Sequence, residues 1–176
     1  AASLAGTLKL GKLIYLYDDN GISIEGDTDI TFTEDVGARF SAYGWHVVGP
    51  VDGHDTAAVD SAIREAQAET ERPSLVVCHT IIGFGSPNKS NTGGVHGEPL
   101  GDEEIELTRA ALGWDLEPFD LPAQAVAHAR QAVERGVAAQ QGWDAQLALY
   151  RASFPDEAAL FDADRRGELP AGWDEG

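Results

Sequence analysis

Apolar residues in this chain fall into short unbroken runs, separated by one clear helical repeat and by turn-forming clusters. Leu13-Ile14-Tyr15-Leu16-Tyr17 is followed at once by Asp18-Asp19-Asn20-Gly21. That pattern predicts a strand buried on both faces and stopped by turn chemistry. Thr33, with Glu34 and Asp35 behind it, predicts a helix start with acids in the electropositive first turn. The helix runs to Tyr43, and Gly44 is a ready C′ residue. Trp45-His46-Val47-Val48 forms the next strand. Asp55 then caps a helix in which Val59, Ala62, Ile63 and Ala66 recur at i, i+3, i+4 and i+7. Pro73 breaks the chain before Leu75-Val76-Val77-Cys78, a third strand. The order β-α-β-α-β predicts an α/β fold, a parallel sheet with flanking helices joined by right-handed crossovers.

The pattern changes after the third strand. A long loop from Gly83 to Pro99 holds Gly83, Gly85, Gly93, Gly94 and Gly97, and an irregular stretch of that length in a compact domain is commonly functional or disordered. Asp102 is expected to cap another helix, with Glu103 and Glu104 in its first turn and Gly113 at its end. From Pro122 the chain is alanine-rich and predicts a helical C-terminal segment in two or three pieces, broken near Gly142 and Pro155. These changes divide the chain into residues 1–121, a helical extension over 122–166 and a linker over 167–176. No internal repeat is visible.

Composition narrows the function. The chain has 176 residues and a formal charge of −18, with 43% hydrophobic residues, enough for one globular domain without a covalent staple. Residues 101–176 hold 6 basic and 16 acidic side chains, which reads as a solvated helical surface. Such acidity argues against a nucleic-acid partner, because few cations are available to replace the counterions of a phosphate backbone. No long apolar run predicts a membrane span, and the opening residues lack the features of a secretory signal. The lone Cys78 fits a reducing compartment, hence a cytoplasmic expectation. The chain contains no methionine, and Leu4-Ala5-Gly6-Thr7-Leu8 reads like the middle of a longer protein, so a fragment is expected.

In open parallel sheets ligands bind beyond the carboxyl ends of the strands. Two features fall there. The Asp18-Asp19-Asn20-Gly21-Ile22 turn offers carboxylate, amide and backbone carbonyl oxygens, the donors that Mg²⁺ or Ca²⁺ prefer. The same residues also read as a plain chain reversal with positive φ at Gly21. The second feature is Gly83-Phe84-Gly85-Ser86-Pro87-Asn88 with Val95-His96-Gly97, where backbone N–H groups and one imidazole could meet a phosphate-bearing ligand. It matches neither the P-loop nor the dinucleotide fingerprint, and a flexible surface loop is the plainer reading. His46 and His79 lie in strands, where a satisfied, partly buried imidazole is expected. His54 flanks a helix cap and His128 lies on a surface helix. No pair has zinc-ligand spacing, and no Ser-His-Asp order stands out.

Taken together, the segments are familiar. Ser3 to Ile14, Tyr17-Asp18-Asp19-Asn20-Gly21-Ile22-Ser23-Ile24, Ala42-Tyr43-Gly44-Trp45, Asp52-Gly53-His54-Asp55, Thr80 to Ser86 and Val95-His96-Gly97-Glu98-Pro99-Leu100 closely resemble transketolases in order and spacing. The resemblance runs over essentially the whole chain. It implies the second half of the domain that binds the diphosphate of thiamine diphosphate, with residues 122–166 as its helical extension and 167–176 leading toward the next domain.

By that resemblance, Asn20 through its side-chain oxygen and Ile22 through its carbonyl would ligate the divalent metal on the diphosphate, Mg²⁺ or else Ca²⁺ or Mn²⁺. His96 would contact the diphosphate, reach toward the donor sugar and act in catalysis. Ile24 and Ile82 would wall the thiazolium ring. The implied reaction moves a two-carbon ketol unit from a ketose phosphate to an aldose phosphate, in the pentose phosphate pathway and in a homodimer. The cofactor carries the carbon chemistry, while the protein supplies orientation and electrostatics. The family's metal site also needs the aspartate of a Gly-Asp-Gly segment upstream of Asn20, which this sequence does not contain. The chain alone is therefore expected to be inactive, with exposed strand edges prone to aggregation. Two alternatives follow: a non-catalytic subunit or remnant that associates with a complementary chain, and another thiamine-diphosphate enzyme such as a deoxyxylulose-phosphate synthase. The Thr80–Pro99 segment favours transketolase over the latter.

Overall fold

The computed structural model describes residues 1–169 and 172–174, in two compact units, one over Ala1–Asp115 and one from Leu116 onward. The first holds helix α1 (Ala2–Thr7), strand β1 (Ile14–Asp19), a small hairpin of β2 (Ile22–Ser23) and β3 (Gly26–Asp27), helix α2 (Val36–Ala42), strand β4 (His46–Asp52), helix α3 (Thr56–Ala68), strand β5 (Ser74–His79) and helix α4 (Asp102–Leu112). The second holds α5 (Ala123–Ser153) and α6 (Pro155–Arg165).

The expected parallel sheet is present, in the order β1-β5-β4. Ser74 sits opposite both Ile14 and His46, and the ladders run in parallel from there to His79. The doubly buried strand is β5, whose residues Ser74 to Cys78 are all buried. This corrects the expectation for β1. It lies at one edge of the sheet, and Tyr15 and Leu16 are 51% and 52% exposed. β4 forms the other edge and is broken in register between Val48 and Val51. Pro50 falls in that break, at an edge, where a missing N–H costs no ladder bond.

Alternation along β5 builds two cores, because successive side chains leave opposite faces of a strand. On one face Val76 and Cys78 pack with Val48, Ala62 and Ala66, so two of the four positions of the repeat read in α3 face the sheet. On the other face Leu75 and Val77 meet Trp45 and Ala5. Trp45 is 2% exposed. Its ring meets Phe40 edge-on at 5.0 Å, and its Nε1–H donates to the Ala2 carbonyl at 2.9 Å. That contact seats α1, a helix the hydrophobic pattern did not predict.

The caps show how local chemistry sets the helix starts. Asp55 caps α3 as expected, its carboxylate accepting the N–H groups of Ala57 and Ala58. α2 is capped by Asp35, which accepts the Ala38 N–H, and not by Thr33. α4 begins from Gly101, so Asp102 is its first helical residue rather than its cap. Gly113 ends it in the left-handed conformation, as expected. α5 runs unbroken for 31 residues through Gly142. One interior glycine costs a helix only about 1 kcal/mol relative to alanine, which a long helix absorbs. The break expected at Pro155 is real, and this proline occupies the first turn of α6, where it loses no hydrogen bond. Within this second unit Arg151 forks onto Asp162, and Arg165 lies over the Trp143 ring. Of the stretch expected as a linker, residues 170, 171, 175 and 176 lie outside the described residues. No helix among the described residues is long and apolar enough to cross a membrane.

Candidate functional site

A cavity of about 1070 Å³ opens at the carboxyl end of the sheet. Tyr17 to Ile22 line it from β1 and the turn, Val77 and His79 from β5, and Asp35 to Ala38 from the start of α2. This is where ligands collect in parallel sheets, because loops diverge there and strand-end amides and carbonyls are left to partner something else. Five carboxylates, Asp18, Asp19, Asp29, Glu34 and Asp35, stand on its wall. Burial, then the charges of Asp19, Glu34 and Asp18, push the Tyr17 phenol up, so it stays a neutral donor. Some of the acids already have partners. Asp19 meets His79 Nδ1 at 3.0 Å, and Asp18 accepts the Thr80 hydroxyl.

Asn20 and Ile22 lie together on this wall. Asn20 Oδ1 accepts the Ile22 N–H at 2.9 Å, an Asx turn, while Gly21 between them takes φ +68°. The turn is locked from below, where the Thr28 N–H donates to the Gly21 carbonyl at 2.9 Å. Ile22 is 8% exposed. An amide oxygen with a second lone pair and a hard carbonyl two residues on suit a divalent cation in kind. Among the described residues no three His, Cys, Asp or Glu side chains converge as a metal site.

His96, Ile24 and Ile82 do not line this cavity. They are linked to its turn by the loop. Ile24 is at the tip of the hairpin and 70% exposed, Ile82 is half-buried and His96 is exposed. The Asn91 N–H donates to the Ile82 carbonyl at 2.8 Å. A single turn of 3-10 helix, Gly93–Val95, follows, and His96 caps it by donating its N–H to the Gly93 carbonyl at 3.0 Å. Gly93 lies so close to the hairpin that a Cβ there would stand 2.8 Å from the Ile24 carbonyl oxygen. The loop read as an irregular stretch is thus folded against the tip of the hairpin that follows Asn20.

Glu104, read from sequence as a surface acid, is the buried anchor of that loop at 7% exposure. It accepts the Ser86 hydroxyl, the Asn88 N–H at 2.9 Å and the Asn88 side-chain amide at 2.9 Å. Those bonds, the Ser86 bond first, hold its carboxyl below the usual carboxylate range. Lys89 adds a bond from Nζ to the Leu100 carbonyl at 2.8 Å. His46 is the satisfied, partly buried strand imidazole that the sequence predicts: its Nδ1 is 3.2 Å from Ser74 Oγ and its Nε2 is 3.7 Å from Glu65. Ser74 is fully buried, so this line of serine, histidine and carboxylate has no access to a substrate. His79 was expected to be partly buried; its side chain is 59% exposed and paired to Asp19. Burial, then the charge of Asp18, pushes the Cys78 thiol up, which suits an inert core residue.

Comparison with known proteins places this geometry in a family. The model of "Transketolase, thiamine diphosphate binding domain" matches residues 1–170. Transketolase 1 of Escherichia coli is 53% identical over 172 residues, covering 98% of this chain and 26% of its own length. A transketolase of a Nostoc species is 53% identical over 175 residues, covering 99% and 26%. Among solved structures, the Pichia stipitis transketolase complexed with sedoheptulose 7-phosphate superposes with a TM-score of 0.87 at 41% identity, again over 99% of this chain and 26% of that one. The chain therefore spans about a quarter of the length of these relatives. A parallel sheet with a ligand-sized opening at its carboxyl end, matched over nearly every residue at such identity, leaves one conclusion: the chain belongs to the transketolase family, within its thiamine diphosphate binding domain.

Proposed function

We propose that this chain supplies part of the cofactor site of a transketolase, an enzyme that transfers a two-carbon ketol group between sugar phosphates. The observation that carries the reading is the Asx turn of Asn20 and Ile22 on the wall of the strand-end cavity. In this reading Asn20 Oδ1 and the Ile22 carbonyl hold a divalent cation, Mg²⁺ or else Ca²⁺ or Mn²⁺, that neutralises the diphosphate. Two neutral oxygens need an anionic donor beside them, because hard cations of this charge favour carboxylates. That carboxylate would come from a Gly-Asp-Gly segment outside these residues.

Bound thiamine diphosphate supplies the carrier for the two-carbon unit; the chain's own residues bind and orient. His96, on an exposed turn, would donate to a diphosphate oxygen and to a hydroxyl of the donor sugar. Ile24 and Ile82 would shield the thiazolium face from water. The substrates would be a ketose phosphate and an aldose phosphate, and the working assembly a cytoplasmic homodimer. Residues 1–121 would form the second half of the diphosphate-binding domain and 122–166 its helical extension, with 167–176 leading onward.

The alternative, a non-catalytic subunit acting with a complementary chain, makes a different calorimetric prediction. Titrated with thiamine diphosphate and Mg²⁺, the 176-residue chain should give no saturable heat, and joining it to a segment that carries the Gly-Asp-Gly aspartate should restore binding. Saturable, metal-dependent binding by the chain alone, lost in Asn20→Ala, would favour a self-contained cofactor module instead.

A further inference from the structure

The Asp52–Asp55 segment takes no part in the reading above, yet its histidine touches the glycine-rich loop twice. His54 Nε2 accepts the Ile81 N–H at 2.8 Å. Its ring also stacks on Phe84, with centroids 4.0 Å apart and planes at 18°. These contacts use the edge and the face of one imidazole, so they fix its position in two directions.

The Ile81 amide needs such a partner because the sheet stops just before it. On one side the last bond is from the Thr80 N–H to the Asp19 carbonyl, at 3.2 Å; on the other it is from the Gly53 N–H to the His79 carbonyl, at 2.7 Å. One residue further on, no strand carbonyl takes the Ile81 N–H, and the imidazole does. The histidine is brought there by tight backbone packing, since a Cβ on Gly53 would lie 2.5 Å from Thr80 Cγ2 and 2.9 Å from the His79 carbonyl. The His54 N–H donates to Asp52 Oδ1 at 2.9 Å, which sets the bend from which the ring projects. From Ile81 the effect passes along the loop. The Phe84 N–H returns to the Ile81 carbonyl, the Asn91 N–H reaches the Ile82 carbonyl, and Gly83 packs against the Val95 side chain next to His96.

We propose that His54 is a positioning residue, which in its Nδ1–H tautomer accepts the Ile81 N–H and sets the loop that carries Ile82 and His96. The consequence for the cofactor rests on the function proposed above; the contact itself does not. An acceptor at Nε2 requires the proton of the neutral ring to sit on Nδ1, so the tautomer reports the contact directly.

The test uses the 176-residue chain without cofactor. Long-range ¹H–¹⁵N correlation spectra of the wild-type protein should show a neutral His54 protonated at Nδ1, and a proton at Nε2 would overturn the proposal. Hydrogen exchange at the Ile81 amide is then compared in His54→Gln, whose amide oxygen can take the place of Nε2, and in His54→Phe, which keeps the stack on Phe84 but has no acceptor. The Ile81 amide should stay protected in the first and exchange roughly tenfold faster in the second, the effect of losing one hydrogen bond. Equal exchange in wild type and His54→Phe, or equal loss in both variants, would overturn the role of the acceptor. A protected Ile81 amide in a protein that fails to use thiamine diphosphate would leave this inference standing and overturn only the functional reading.

Discussion

Asn20 Oδ1 and the Ile22 N–H, 2.9 Å apart, close a turn in which one side chain shapes the backbone it is proposed to share a metal with. The bond leaves the amide a lone pair and fixes the path of the chain from β1 into the hairpin. Asn20→Ala should therefore act without any metal, since it leaves the N–H of a buried residue unpaired. The expected loss is about 1 kcal/mol of stability, read as a lower urea midpoint at unchanged m-value. Asn20→Asp, which keeps the acceptor, should stay close to wild type.

Trp45 joins the sheet to α1. Removing its ring by Trp45→Ala should cost about 3–5 kcal/mol, as large-to-small changes at buried aromatics do. Trp45→Phe should cost less but free the Ala2 carbonyl. Hydrogen exchange over residues 2–7 would then rise while α3 stays protected.

The acid response of the loop follows from Glu104. Its carboxyl is depressed in the folded state, so its stabilisation is complete above the unfolded value, about 4.3 for a glutamate. That contribution is lost as pH falls through the lower native value. The Asn88 and Lys89 amides should lose protection there, with Ser86 and Asn88 left without their acceptor. Glu104→Gln should weaken the loop at neutral pH and remove this acid step, which NMR exchange measurements on those amides would show.

Gly93 is held to the absence of a side chain by the Ile24 carbonyl. Gly93→Ala should push the 3-10 turn off the hairpin at a cost of about 1–3 kcal/mol, the range for overpacking. Chemical-shift changes should reach both Ile24 and His96 and leave β5 unmoved.

What could be read in the sequence was what is decided locally or by periodicity. The three strands, the Asp55 cap, the apolar face of α3 and the end of α4 at Gly113 depend on neighbours within a few residues. The cap positions at α2 and α4 and the helix through Gly142 are misread within a few residues, whereas the larger misreadings have non-local causes. The run at Leu13–Tyr17 is as apolar as a central strand, but only one of its sides has a ladder partner among the described residues. α1 owes its place to a tryptophan 43 residues away. Glu104 looks like any acid in a first helical turn, and only the return of Ser86 and Asn88 makes it an anchor. The same holds at the site. The chain reversal with positive φ at Gly21 is legible in Asp18-Asp19-Asn20-Gly21, whereas the folding of the loop onto the hairpin through Gly93, and the hold of His54 on Ile81, join residues that no spacing rule connects.

If these residues form a working part of a transketolase cofactor site, they should serve in place of the same segment of a relative. The most direct measurement is ketol transfer by the Escherichia coli relative after its matching segment is replaced with this chain. Transfer should depend on thiamine diphosphate and a divalent metal and fall at least tenfold in Asn20→Ala, as loss of one strong polar contact implies. A folded chimera without transfer, or one whose activity ignores Asn20→Ala, would contradict that role.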